Sequence, residues 1–383
     1  MNKILRAKWL VVFLAICVMI FFGRSVSINV LTDNAVVLGM GIDYTEEGYD
    51  VSIQSIIPQA SSSGNTSTKK YVVFSATDKS LSGALALIGE KMGMIISLTH
   101  CNIIIVSKDA LEIGLNEEIQ NLVNGWFLTL HALIVGTEEK PIDILSAETP
   151  VSVSSAEYLQ TLLLESISFS NLTRYKVKDY IVDNYTQSAV SAIAFLERAE
   201  LPENSVSSPT GETISTKQYE YNLTKNIIVG DNVVPFTVEK DIAQCINFLK
   251  IKENGGMLTI DFPEGEVAQL EIISTKGKLK FSEGVVEASI KMNLVLREFV
   301  EEDEAISLFL ISEEKLKEII LKTEATLTQS LKNTFQISQE TNVDFLLLAE
   351  GMYRKFGYTW EKPANFLQNL EFKTSVQVTF KRG

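Results

Sequence analysis

The spacing of apolar and polar positions changes repeatedly along the chain, and each change marks an element. Near the C-terminus, Phe345, Leu348, Ala349, Met352, Tyr353 and Phe356 fall at the i, i+3, i+4, i+7, i+8, i+11 spacing of one helical face. Asp344 stands where a cap would start that helix and Gly357 where one would stop it. A strand follows. Leu370, Phe372, Thr374, Val376, Val378 and Phe380 alternate with Glu371, Lys373, Ser375, Gln377, Thr379 and Lys381, so one face meets a core and the other meets water. Upstream, Leu316, Ile319, Ile320, Thr323, Leu327, Leu331 and Phe335 form the buried stripe of a helix predicted over 312–338. Residues 267–300 read as a long strand pair, and residues 227–234 as a hairpin turning at Gly230, Asp231 and Asn232.

The N-terminal half alternates more quickly. A hairpin over 35–57, a strand at 71–76, a helix over 80–92 and a strand at 102–106 are followed by a helix over 111–124 and a strand at 128–136. Residues 153–185 read as helical with an interruption near 170–174, and 189–196 as a strand. Residues 59–70 form a small-side-chain polar loop, and 200–215, with Pro202, Pro209 and Gly211, reads as a linker. The predicted organisation is a signal or anchor segment at 1–24, an N-terminal domain at 25–199, the linker at 200–215 and a C-terminal domain at 216–383, with room for a subdivision near 263–265. The predicted fold class is α+β: mixed sheets with packed helices, not a doubly wound parallel fold, behind an N-terminal apolar membrane segment.

Composition changes this picture little. The chain has 383 residues, 46% hydrophobic and 21% charged, which is a folded composition. Its net charge of −14 argues against a nucleic-acid partner, which needs a basic stripe, and against lying flat on anionic lipid. The N-terminus adds more. Lys3, Arg6 and Lys8 precede fourteen uninterrupted apolar residues at 9–22, and Arg24 follows. Such a segment covers roughly 21 Å, short of a ~30 Å hydrocarbon core unless Lys8 and Arg24 snorkel. The preceding positive charge directs residues after 24 outward. Three outcomes are open: an uncleaved anchor, lipidation at Cys17, or cleavage near residues 25–27.

Candidate chemistry is sparse, and no catalytic, cofactor-binding or metal-binding residues are predicted. His100 and His131 each fall in a strand-like apolar run and read as structural. Gly39-Met40-Gly41 lacks the rest of a nucleotide loop and reads as a bulged or closely packed strand. Residues 301–304 are an acidic run read as a solvated loop, and Cys101 and Cys245 read as buried thiols. Tyr353, Arg354 and Trp360 admit two readings: helix packing with the charges in water, or a contact patch for a partner protein.

The order of residues goes further than their pattern. The run from Asp344 to Lys355, Asp-Phe-Leu-Leu-Leu-Ala-Glu-Gly-Met-Tyr-Arg-Lys, resembles the C-terminal signature of the Ger(x)C family, roughly Asp-Ile-Phe-Gly-Phe-Gly-Glu-Ala-Leu-Tyr-Arg-Lys. Glu350, Tyr353, Arg354 and Lys355 fit; Leu347 and Ala349 stand where that signature has glycines, a change that keeps the helix reading intact. Residues 35–43 are similar to the family's hairpin block, and residues 98–106 to its Leu-Ser-His strand. The resemblance implies a non-catalytic C subunit of a nutrient germinant receptor, needed for nutrient-triggered spore germination. It also implies two integral membrane receptor subunits as partners, in the spore inner membrane, with the body on the extracytoplasmic side. Direct contact with germinant stays open. The family's lipidated cysteine aligns with Ser25, which leaves Cys17 as the lipidation candidate. The alternatives are an extracytoplasmic cell-wall hydrolase, which would need a catalytic base or metal, and a solute-binding protein, which would need a ligand cleft.

Overall fold

The computed structural model describes residues 34–56, 71–147, 149, 154–168, 172–173, 175–200, 206–207, 213–214, 219–230, 232–250, 255–263, 265–301, 304–306 and 311–381. The apolar segment at 9–22, with Cys17, lies outside them. Among the described residues no helix is long and apolar enough to cross a membrane.

The first half supplies strands β1 (Asn34–Thr45), β2 (Gly48–Ile56), β3 (Tyr71–Asp78), β4 (Ile95–Ser97), β5 (Ile103–Ser107), β6 (Leu133–Thr137) and β7 (Val190–Glu200). Its helices are α1 (Leu81–Met92), α2 (Lys108–Ile113), α3 (Asn116–Gly125), α4 (Pro141–Ser146), α5 (Ser155–Ser168) and α6 (Val177–Asn184). A small ladder of β8 (Val206–Ser207) and β9 (Thr213–Ile214) precedes the hairpin β10 (Tyr219–Gly230) and β11 (Val233–Val238). Nine strands form one sheet in the order β11-β10-β7-β6-β5-β1-β2-β3, with β4 beside the start of β1.

The class is mixed α and β as expected, but the centre of this sheet is parallel: β1, β5, β6 and β7 run the same way. Every residue of β5 and β6 is buried, as parallel strands covered on both faces require. On one face Met40, Ile104 and Ile134 meet α1, α2, α3 and α6; on the other Ile103, Ile105 and Val135 meet α4 and α5. The two glycines of β1 permit that second contact. A Cβ on Gly39 would lie 2.6 Å from Ala156 Cβ, and one on Gly41 would lie 2.6 Å from Pro141 Cβ. The strand register also slips between Val37 and Gly39, so close packing and a bulge occur together.

Several boundaries differ from the sequence reading. The helix predicted at 111–124 is two helices, because Gly114 takes a φ of 86° and breaks the backbone between α2 and α3. The strand at 128–136 begins only at Leu133; residues 128–132 turn instead. His100 and His131 sit exposed in the turns before β5 and β6, not within strands, since the apolar runs start after them. The hairpin at 227–234, read as the opening of the C-terminal unit, pairs with β7 and extends the first sheet, with Ile227 opposite Ile193. That pairing is set by a partner strand distant in sequence.

The second sheet comprises β12 (Met257–Asp261), β13 (Val267–Ser282), β14 (Val285–Glu301), β15 (Glu304–Ala305) and β16 (Glu371–Phe380). The predicted strand at the C-terminus is β16, parallel to β14 from Val285↔Glu371 to Leu294↔Phe380. Helices α7 (Lys240–Lys250) and α8 (Glu313–Thr341) cover one face. Ser312 caps α8, accepting from Lys315 N at 3.1 Å, and Ile319, Thr323, Leu327, Leu331 and Phe335 are buried along the predicted stripe. A last helix, α9 (Leu348–Phe356), closes the joint between the sheets. There Val190, Ala192 and Ile228 of the first sheet share one core with Phe345, Leu348 and Met352.

Candidate partner-docking site at the C-terminal helix

Helix α9 begins three residues later than its apolar spacing suggests. Asp344 still caps it, but from a tight turn: its carboxylate accepts from Leu348 N at 2.9 Å and Ala349 N at 2.7 Å. Leu347, the residue before the helix, has a φ of 57°. One of the two glycine positions of the family signature is thus a left-handed position, and this chain fills it with leucine. Leu347 therefore lies outside the helix, not in its first turn as the spacing suggested.

The same motif joins the two halves of the molecule. Ser188 Oγ donates to Asp344 at 2.6 Å, and Gln187 N donates to Glu350 at 3.1 Å, both across the joint. Glu350 also pairs with Arg354 one turn along, at 2.7 Å. Behind this layer, Lys250 at the end of α7 turns its ammonium into the joint, where it is buried with no hydrogen-bond partner among the described residues. Burial lowers its pKa, and the charges of Asp183 and Asp344 oppose that shift. Burial raises Asp344, against hydrogen bonds from Ser188, Ala349 and Leu348. Burial likewise raises Asp183, against Lys250 and the hydroxyl of Tyr175, which donates to it. Sequence pattern did not reveal this cluster; its members lie on three separate segments, and only the acidic positions inside an apolar motif hint at it.

At its other end α9 lines an apolar groove of about 530 Å³. The groove is lined by Met352, Phe356, Trp360, Pro363, Phe366 and Leu370, with Glu283 and Gly284 of the β13–β14 turn beside them. Trp360 stands edge-on to Phe366, with ring centroids 5.7 Å apart. Phe356 is 43% exposed and the neighbouring Tyr358 is 87% exposed. Of the predicted contact residues, only Trp360 lines the groove. Tyr353 is half-buried outside it, and Arg354 is exposed in its pair with Glu350. Phe356, read from sequence as a core residue, is the aromatic that opens onto solvent.

Elsewhere the chemistry is quiet. Burial pushes the Cys101 and Cys245 thiols each up to about 12, and both are free. Among the described residues no group of three or more histidines, cysteines and carboxylates gathers as a metal site.

Residues 27–196 match the family model described as spore germination protein N-terminal domain, and residues 227–383 match that described as spore germination B3/GerAC-like, C-terminal. The chain belongs to the Ger(x)C family of spore germination proteins. These are germinant-receptor subunits. The fold is also similar to the crystal structure of the GerBC protein, with a TM-score of 0.50 and 14% identity, over 90% of this chain and 97% of that one. No curated protein matches the chain.

Proposed function

We propose that this Ger(x)C protein is a non-catalytic subunit of a spore germinant receptor, needed for nutrient-triggered germination, and that it assembles with two integral membrane subunits at the spore inner membrane. The observation that carries this reading is the pair of family matches, which follow one another in order along the chain. In this reading residues 1–24 hold the protein at the membrane, residues 25–199 and 216–383 form the body on the extracytoplasmic side, and 200–215 links them. The groove beside Trp360 is the docking contact: it presents Phe356 and Trp360 over buried Met352, aromatic side chains of the kind enriched at protein interfaces. Affinity purification of the tagged full chain from spore membranes tests the assembly. Two membrane subunits are expected to co-purify in constant ratio; a chain recovered alone after mild solubilisation contradicts it.

A further inference from the structure

The face of the second sheet turned away from α7 and α8 carries a charge pattern opposite to that of the whole chain. In β13 the register shifts between Ile272 and Ser274, and beyond it Lys276, Lys278 and Lys280 all point outward. Across the strand pair Lys276 faces Lys291, Lys278 faces Ser289 and Lys280 faces Glu287. Strand β16 continues these rows with Gln377, Ser375 and Lys373.

Two of the five lysines are neutralised: Lys280 lies 3.8 Å from Glu287, and Lys373 lies 3.3 Å from Glu371. Lys276, Lys278 and Lys291 are exposed and have no ion-pair partner among the described residues. Like charges directly opposite on neighbouring strands disfavour a sheet, and Lys276 opposite Lys291 is such a pair. In a chain of net charge −14 this face is the local exception, so an anionic surface attracts the molecule in one orientation and repels it in the others.

We propose that this face lies against the anionic headgroups of a lipid membrane. The rows contain no aromatic residue and no arginine, and lysine is depleted at protein interfaces, so a protein partner is the poorer fit. Long ammonium side chains on neighbouring strands, with Ser289 and Ser375 in the row between them, match the phosphates of lipid headgroups. The proposal rests on the reading that residues 1–24 hold the chain at a membrane; it does not depend on the identity of the receptor partners.

The test is amine labelling of the full chain in nanodiscs of phosphatidylcholine alone or mixed with phosphatidylglycerol, read lysine by lysine by mass spectrometry. Lys276, Lys278 and Lys291 are expected to label about fivefold more slowly in the anionic discs only. The difference is expected to vanish in ~1 M salt, where the Debye length is about 3 Å. Exposed Lys240 and Lys332 are expected to label alike in both discs. Equal labelling of the three lysines in a chain that co-elutes with both discs overturns the lipid face while leaving the anchor intact. A chain that leaves both discs overturns the anchor and the lipid face together. Protection that appears without lipid as protein concentration rises, or only when membrane subunits are added, assigns the face to a protein contact and also overturns the proposal.

Discussion

Leu347 and Asp344 illustrate what a residue's spacing can hide. By spacing alone Leu347 belongs to the first turn of a helix, where glycine is about 1 kcal/mol worse than alanine. Its φ of 57° reverses that order, because a left-handed conformation costs an L-residue about 1 kcal/mol that glycine avoids. Leu347→Gly is therefore expected to be more stable than Leu347→Ala by about 1 kcal/mol in urea unfolding, and the opposite order would restore the helical reading. Asp344 supplies a pH test. The folded state holds it above its ordinary 3.8, so it takes up its proton on folding at a pH where the unfolded chain does not. Asp344→Asn cannot titrate and, with one acceptor oxygen in place of two, cannot keep all three of the bonds from Leu348 N, Ala349 N and Ser188 Oγ, costing about 2 kcal/mol near neutrality. As pH falls below neutral the wild type gains stability that the variant does not. The gap between their thermal midpoints is expected to widen, and then to hold constant once both folded and unfolded Asp344 are protonated.

At the scale of elements, the segments with sustained periodicity were legible: α8 with its buried stripe, α1 over the predicted 80–92, and β16 with its alternating faces. Where periodicity ran through a glycine or a turn, as at Gly114 and His131, the pattern could not show the break, because side-chain spacing does not record backbone φ. Pairings between distant segments were equally hidden. Nothing local in β10 shows that it lies beside β7, and nothing near Lys250 shows that it faces Asp183 and Asp344. The groove proposed for docking was only partly legible. Trp360 lines it, as does Phe356, whose place in a helical stripe disguised its exposure. Phe356→Glu is expected to leave the folding free energy of the isolated chain within about 0.5 kcal/mol, as for a surface change. The same substitution is expected to weaken co-purification of the membrane subunits at least tenfold, as for an interface anchor worth more than about 1.4 kcal/mol. Unchanged recovery of the partners would move the docking contact away from this groove.

For the whole molecule, the proposed arrangement is a two-sheet body, tied through the α9 motif, held at a membrane by residues 9–22. An uncleaved anchor is the form proposed for that segment, and intact-mass analysis of the mature protein checks it. A chain beginning at Met1 or lacking only Met1 agrees; a diacylglyceryl Cys17 start, or a free amine near residues 25–29, does not. The proposed role of this body is that of a receptor subunit on which the response to nutrient depends. Its most direct measurement is dipicolinate release from nutrient-challenged spores that lack this gene, beside spores in which the gene has been restored. Release in response to at least one nutrient is expected to be lost in the first and recovered in the second; unchanged release to every nutrient that triggers the parent spores would contradict this role.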